Sequence, residues 1–264
     1  MGVEIKMIKT KEMEMKYFDF GSGNQSFVII PGIGITSITK MADAIVAMFE
    51  KFSKDFHVYV FDRRNDFPRD YDVFGMADDM AAALKQLGIK NACVYGTSQG
   101  GIIAQILAMK YPQLVGKLAL ASTTGRLRQE SKEIIHRWVK IAQAMDLKNL
   151  AETFAQDIYT EDFVEKYGDL ISAETLRATN EDLERFQILS RACDDWNATE
   201  ELNKIQCSTL VLGATGDKIF KEEEFLELAE KIGCDVYIYE GYSHAVYDEA
   251  SDFLERLYTF FMKE

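Results

Sequence analysis

The sequence predicts an α/β protein built on one mainly parallel sheet with helices on both faces. Short, continuous apolar runs bounded by turn residues recur along most of the chain, and helical segments separate them. Strands that alternate with helices need crossover connections, and right-handed crossovers place helices over both faces of a parallel sheet. The alternation stops from about residue 125 to 202, where only helix signals occur, and then resumes. At 264 residues the chain can bury a single large core without disulfide or metal staples.

Residues 3–8 and 13–20 alternate loosely and read as two antiparallel strands ahead of the turn Gly21-Ser22-Gly23-Asn24. Phe27-Val28-Ile29-Ile30 is a buried strand, stopped by Pro31-Gly32-Ile33-Gly34. Helical periodicity runs from about Ser37 to Lys51, and His57-Val58-Tyr59-Val60-Phe61 is the next strand, ended by Asp62-Arg63-Arg64-Asn65. A helix from about Asp72 to Leu87 stops at Gly88, a C′ glycine. Residues 91–96 form a strand, 99–111 a helix that ends before Pro112, and 118–121 a further strand. In the strandless stretch, Ile134, Ile135, Trp138, Ile141 and Met145 fall at helical spacing. So do Leu183, Phe186, Leu189 and Trp196, behind Asn180 as N-cap. A strand at 209–212, a helix near 220–232, a strand at 235–239 and a last helix at about 245–262 complete the chain. Residues 1–124 and 203–264 thus form the core domain, and 125–202 a helical cap inserted into it.

Lys and Arg number 30 against 43 Asp and Glu, a formal charge of −13, which argues against a nucleic-acid partner. No apolar run approaches the roughly 18 residues of a membrane span. The first residues, Met1 to Lys6, lack the apolar stretch of a secretory signal. Four scattered cysteines without a C-x-x-C pair read as free thiols in a reducing, cytoplasmic setting. Neither a Walker loop, nor a strand–G-x-G-x-x-G–helix unit, nor a zinc-ligand pattern occurs, so no cofactor and no metal is expected.

The sharpest chemical signal is Gly96-Thr97-Ser98-Gln99-Gly100, a G-x-S-x-G between a strand and a helix. Composition alone predicts about 0.05 such motifs in this chain. A serine hydroxyl is a weak nucleophile and needs an exposed position beside a base. The chain has three histidines. His57 opens a buried strand and reads as structural. His136 sits in an amphipathic helix and reads as solvated or core-edge. His244 follows the last strand in Gly241-Tyr242-Ser243-His244, at the carboxyl edge of the sheet where open α/β folds place their sites, and is the expected base. Asp217, after the strand at 209–213, is the expected orienting carboxylate, with Asp194, Asp195 and Asp248 as competitors. The chain order is Ser, Asp, His. The amides of Gln99 and Ile33 are the expected oxyanion donors. Trp138, Phe154, Tyr159, Phe163, Phe186 and Trp196 are candidate pocket residues within the cap, although aromatic stripes at helical spacing more often pack.

These motifs resemble the α/β-hydrolase superfamily, of the small capped serine-hydrolase type, over most of the chain. The resemblance rests on the elbow at 96–101, Asp62-Arg63-Arg64, Ala77-Asp78-Asp79-Met80, Leu210-Val211-Leu212-Gly213 leading to Asp217, and Gly241-Tyr242-Ser243-His244. It implies an α/β-hydrolase fold with an eight-stranded sheet. Pro31-Gly32 stands where His-Gly is frequent, Asn65-Asp66-Phe67 replaces the Gly-x-Gly of the family's D-x-R-G-x-G loop, and Cys207-Ser208-Thr209 lacks the usual proline. Serine at 98 separates the chain from epoxide hydrolases and haloalkane dehalogenases, whose nucleophile there is Asp. The expected activity is an esterase-like hydrolase acting on a small molecule. Carbon–carbon bond hydrolysis, removal of an N-terminal residue from a peptide, and a hydrolase-like small-ligand binding protein stand as alternatives. A homodimer is left open.

Overall fold

In the computed structural model, which describes residues 2–263, eight strands form one sheet. They are β1 (Lys6–Lys9), β2 (Glu14–Phe20), β3 (Gln25–Ile30), β4 (Phe56–Arg64), β5 (Ala92–Thr97), β6 (Val115–Ala121), β7 (Ser208–Ala214) and β8 (Asp235–Tyr239). Their spatial order is β1-β2-β4-β3-β5-β6-β7-β8. β1 and β2 pair antiparallel, as do β2 and β4, and every later pairing is parallel.

The helices are α1 (Ala42–Met48), α2 (Val73–Gln86), α3 (Gln99–Lys110), α4 (Gln129–Gln143), α5 (Leu147–Ile158), α6 (Glu161–Thr175), α7 (Asn180–Arg191), α8 (Glu222–Ile232), α9 (Val246–Glu249) and α10 (Phe253–Met262). The two sheet faces bury separate apolar clusters, as the period of two requires. Along β3, Phe27 and Ile29 enter one cluster and Val28 and Ile30 the other. α10 inserts Phe253, Leu257 and Phe261 on the first face, against Phe27 and Phe56. α2, α3 and α8 cover the second. α3 is buried on nearly every side, so it carries no polar face.

Four details depart from the sequence expectations. β4 runs on through Asp62 and Arg63 to Arg64, because β2 continues beside it and pairs Met15 with Arg64. The segment expected as one helix at 37–51 divides into a 3-10 turn (Ile38–Met41), α1, and a second 3-10 turn (Glu50–Lys54). The last helix divides at Ala250, whose backbone turns extended, separating α9 from α10. The N-cap of α7 is Thr179 rather than Asn180, and Thr179 and Asp182 form a reciprocal capping box.

Strand order reverses between β3 and β5, which are neighbours although β4 lies between them in sequence. Such a reversal opens a crevice at the carboxyl ends of the strands. Ile30 pairs with Gly96 there, so the loops after β3 and β5 leave the sheet side by side. Ala214 pairs with Tyr239, which brings together the loops after β7 and β8. Helices α4–α7 all lie between β6 and β7 in the chain, and residues from α4, α5 and α7 face the same crevice. No helix among the described residues is long and apolar enough to cross a membrane.

Candidate active site

Ser98 stands between β5 and α3 with φ 52° and ψ −121°, a sparsely populated conformation for a residue with a side chain. Close packing around the turn holds it there. A Cβ on Gly96 would lie 2.5 Å from the Gly100 carbonyl oxygen, and one on Gly100 would lie 1.9 Å from that of Ile30. Only glycine lets α3 start so close to the ends of β3 and β5.

The loop after β3 lies against this turn. Gly32 N–H donates to Thr97 Oγ1 at 3.1 Å, which orients the Gly32 peptide. The amides of Ile33 and Gln99 both belong to residues lining the cavity, and neither finds an acceptor among the described residues. Arg63 ties the two segments together: its Nη2 donates to the Pro31 carbonyl at 2.7 Å and to Gln99 Oε1 at 3.3 Å. Gln99 Nε2 in turn donates to the Leu189 carbonyl of α7 at 2.6 Å and contacts Cys193 Sγ. Burial pulls the Arg63 guanidinium down to about 10, opposed by Asp62, so it stays charged at neutral pH. Its Nε finds no partner among the described residues.

Asp217 and His244 come from the loops after β7 and β8. Asp217 Oδ1 accepts from the Ile219 and Phe220 amides at 2.8 and 3.0 Å, which turns Oδ2 toward His244. His244 Nδ1 lies 2.8 Å from that oxygen, and both residues are buried. A carboxylate only accepts, so Nδ1 carries the proton and Nε2 remains an acceptor. Ser122 anchors the histidine from below, its hydroxyl donating to the His244 carbonyl at 2.6 Å.

Ser98, His244, Ile33 and Gln99 line one cavity of about 280 Å³, a size suited to a small molecule. No hydrogen bond joins Ser98 to His244 among the described residues. The other two histidines lie elsewhere: His57 pairs with Asp19 at 2.7 Å and His136 with Asp194 at 2.8 Å. Of the six candidate aromatics, Trp138, Phe154 and Tyr159 line the cavity. Phe163, Phe186 and Trp196 do not. Phe163 stacks on the outer side of Tyr159, Phe186 packs behind Phe154, and Trp196 is buried with its Nε1 donating to the Thr124 carbonyl. The sequence reading did not single out Arg63 or Arg185 as site residues, and it weighed Asp248 only as a partner for His244. All three line the cavity. Arg185 on α7 forms an ion pair with Asp62 at the end of β4.

The sequence pattern of the family described as alpha/beta hydrolase fold matches residues 25–251. The chain belongs to the alpha/beta hydrolase family. This alpha/beta hydrolase is similar to 3-oxoadipate enol-lactonase 2 of Acinetobacter baylyi, with 19% identity over 217 residues, or 80% of this chain and 79% of that one. It is similar to 2-hydroxy-6-oxo-6-phenylhexa-2,4-dienoate hydrolase of Comamonas testosteroni, with 23% identity over 185 residues, 67% of this chain and 65% of that one. In fold the hydrolase resembles MGS-M2, an alpha/beta hydrolase enzyme from a Medee basin deep-sea metagenome library. The TM-score is 0.88, with 22% identity and 98% of each chain covered.

Proposed function

We propose that this hydrolase cleaves an ester-like acyl bond of a small molecule through an acyl-enzyme formed on Ser98. One observation carries the reading: a serine at a strained strand–helix turn shares a cavity with a buried His244–Asp217 pair from two other sheet-edge loops. Ser98 Oγ attacks the carbonyl carbon while His244 Nε2 takes its proton and passes it to the leaving alcohol. Asp217 holds the tautomer and stabilises the imidazolium. The Gln99 and Ile33 amides, free of other acceptors, receive the oxyanion. Water, activated by the same histidine, then releases the acid.

In this reading helices α4–α7 act as a cap. Trp138, Phe154 and Tyr159 bound the space for the acyl or alcohol group, and exclusion of water strengthens the oxyanion hydrogen bonds. The relatives named for lactone and dienoate hydrolysis support hydrolytic chemistry on this scaffold.

The test is fluorophosphonate labelling of the wild type and Ser98→Ala, followed by a p-nitrophenyl ester series of increasing acyl length. Labelling and turnover are expected in the wild type, and both are lost in Ser98→Ala with its circular dichroism unchanged. Triad removal typically costs on the order of 10⁶ in kcat. Undiminished labelling or turnover in the purified variant refutes the assignment.

A further inference from the structure

Four charged side chains besides the histidine line the cavity: Asp62, Arg63, Arg185 and Asp248. Arg185 pairs with Asp62, and Arg63 donates through Nη2 to the Pro31 carbonyl and Gln99, with its Nε alone left without an acceptor among the described residues. Asp62 accepts from Arg185, from the Ser37 hydroxyl and from the Arg63 amide.

Asp248 is different. It stands on α9, one turn beyond His244, and its only donor among the described residues is the Tyr159 hydroxyl, 2.8 Å from Oδ2. Oδ1 takes no donor among the described residues. The groups around it are Tyr159 from the α5–α6 junction, Tyr95 from β5, and Tyr247 and Glu249 from its own helix, and none is a cation. Glu249 is already held by the Thr160 amide and hydroxyl at 3.2 and 2.5 Å. Burial pushes the Asp248 carboxyl up to about 6, opposed by the Tyr159 hydrogen bond and reinforced by Glu249. It is therefore ionised at neutral pH, in a cavity whose remaining wall is largely apolar.

Asp248 is half-buried. A carboxylate partly withdrawn from water without a cation is costly, and a fold that merely needed an acceptor for Tyr159 could use a neutral amide. We propose that Asp248 is a cation-recognising subsite of the Ser98 cavity: the substrate carries a protonated amine or another cationic nitrogen in the part that lies against α9. The cation completes the ion pair that the protein leaves open. This rests on the Ser98 reading above and specifies its substrate class.

The test compares p-nitrophenyl 6-aminohexanoate with its near-isostere p-nitrophenyl heptanoate, together with the homologous pair one methylene shorter. The readout is the ratio of kcat/KM for the amino ester over the alkyl ester. In the wild type this ratio favours the amino ester and rises between pH 5 and 7 as the carboxylate ionises. Asp248→Asn lowers it by about ten- to a hundredfold, the size expected for a hydrogen-bonded charge, and Asp248→Glu retains most of it. A ratio unchanged in Asp248→Asn, or equal loss of both substrates, overturns the proposal and leaves Asp248 a structural acceptor. A second arm needs no turnover. Hexylammonium binding, followed by calorimetry against hexanol, is expected in the wild type and lost in Asp248→Asn. Absence of all ester hydrolysis with this binding intact would refute the Ser98 reading alone; absence of binding refutes the subsite.

Discussion

Replacing Asp248 by Asn is expected to stabilise the protein, and the size of the gain follows from the same carboxyl. An unperturbed Asp titrates at 3.8, and burial raises this one to about 6 in the folded state. Each unit of difference is about 1.4 kcal/mol, so the ionised group opposes folding by at most about 3 kcal/mol. Water admitted on its cavity side reduces this. The sign is opposite to that of a salt-bridged carboxylate. The cost is absent below the unfolded value, where both states are protonated. It grows as pH rises through the interval and is complete above the folded value. Asn keeps an acceptor for Tyr159 and carries no charge, so the variant should gain up to about 3 kcal/mol at pH 8 and roughly half as much at pH 5. Urea denaturation of both proteins at the two pH values measures it. A variant no more stable at pH 8, or a gain equal at both pH values, would show that the carboxyl is not desolvated in the folded state.

Gly100→Ala places a methyl carbon 1.9 Å from the Ile30 carbonyl oxygen and 2.5 Å from that of Pro31. It should cost about 1–3 kcal/mol in urea denaturation and, by displacing the Ile33 amide, about a hundredfold in kcat/KM. Wild-type values for both would contradict the close packing of the turn. Phe154→Ala should extend the range of acyl lengths accepted in the ester series, since its ring lines the cavity. Phe186→Ala, from the layer behind, should instead lower stability by about 3–5 kcal/mol and leave the chain-length profile in place. The reverse pattern would mean that the two rings have been assigned to the wrong sides.

The strands were legible because β3 and β5–β7 are buried over most of their length and read as short continuous apolar runs between turn residues. β4 looked shorter than it is. Asp62, Arg63 and Arg64 resemble a strand stop, but each finds partners that only the fold supplies. Arg64 reaches Asp79 on α2 and the Glu12 carbonyl, and Asp62 meets Ser37 and Arg185. The break after α9 is equally a tertiary matter. His244 must stay with Asp217 while Phe253 turns into the core, and a continuous helix would not serve both.

Periodicity finds which residues of a helix are buried, but not what they are buried against. Trp138, Phe154 and Tyr159 face the cavity, while Phe163, Phe186 and Trp196 carry the same sequence signal and pack elsewhere. Ser98, Asp217 and His244 were named from motif context instead, and a sharp turn at a strand end leaves a side chain few directions: Ser98 and His244 line one cavity and Asp217 bonds His244. The choice among carboxylates shows where that information stops. Position after a strand and the chain order Ser, Asp, His favoured Asp217, with Asp248 as a competitor, but neither says where each carboxylate points. Two amides of the 219–220 turn aim Asp217 at the histidine ring, and the turn of α9 carries Asp248 past it to Tyr159. With His244 occupied by Asp217, Asp248 is left facing the cavity without a protein counter-ion, and its remaining acceptor atom is available to a bound cation.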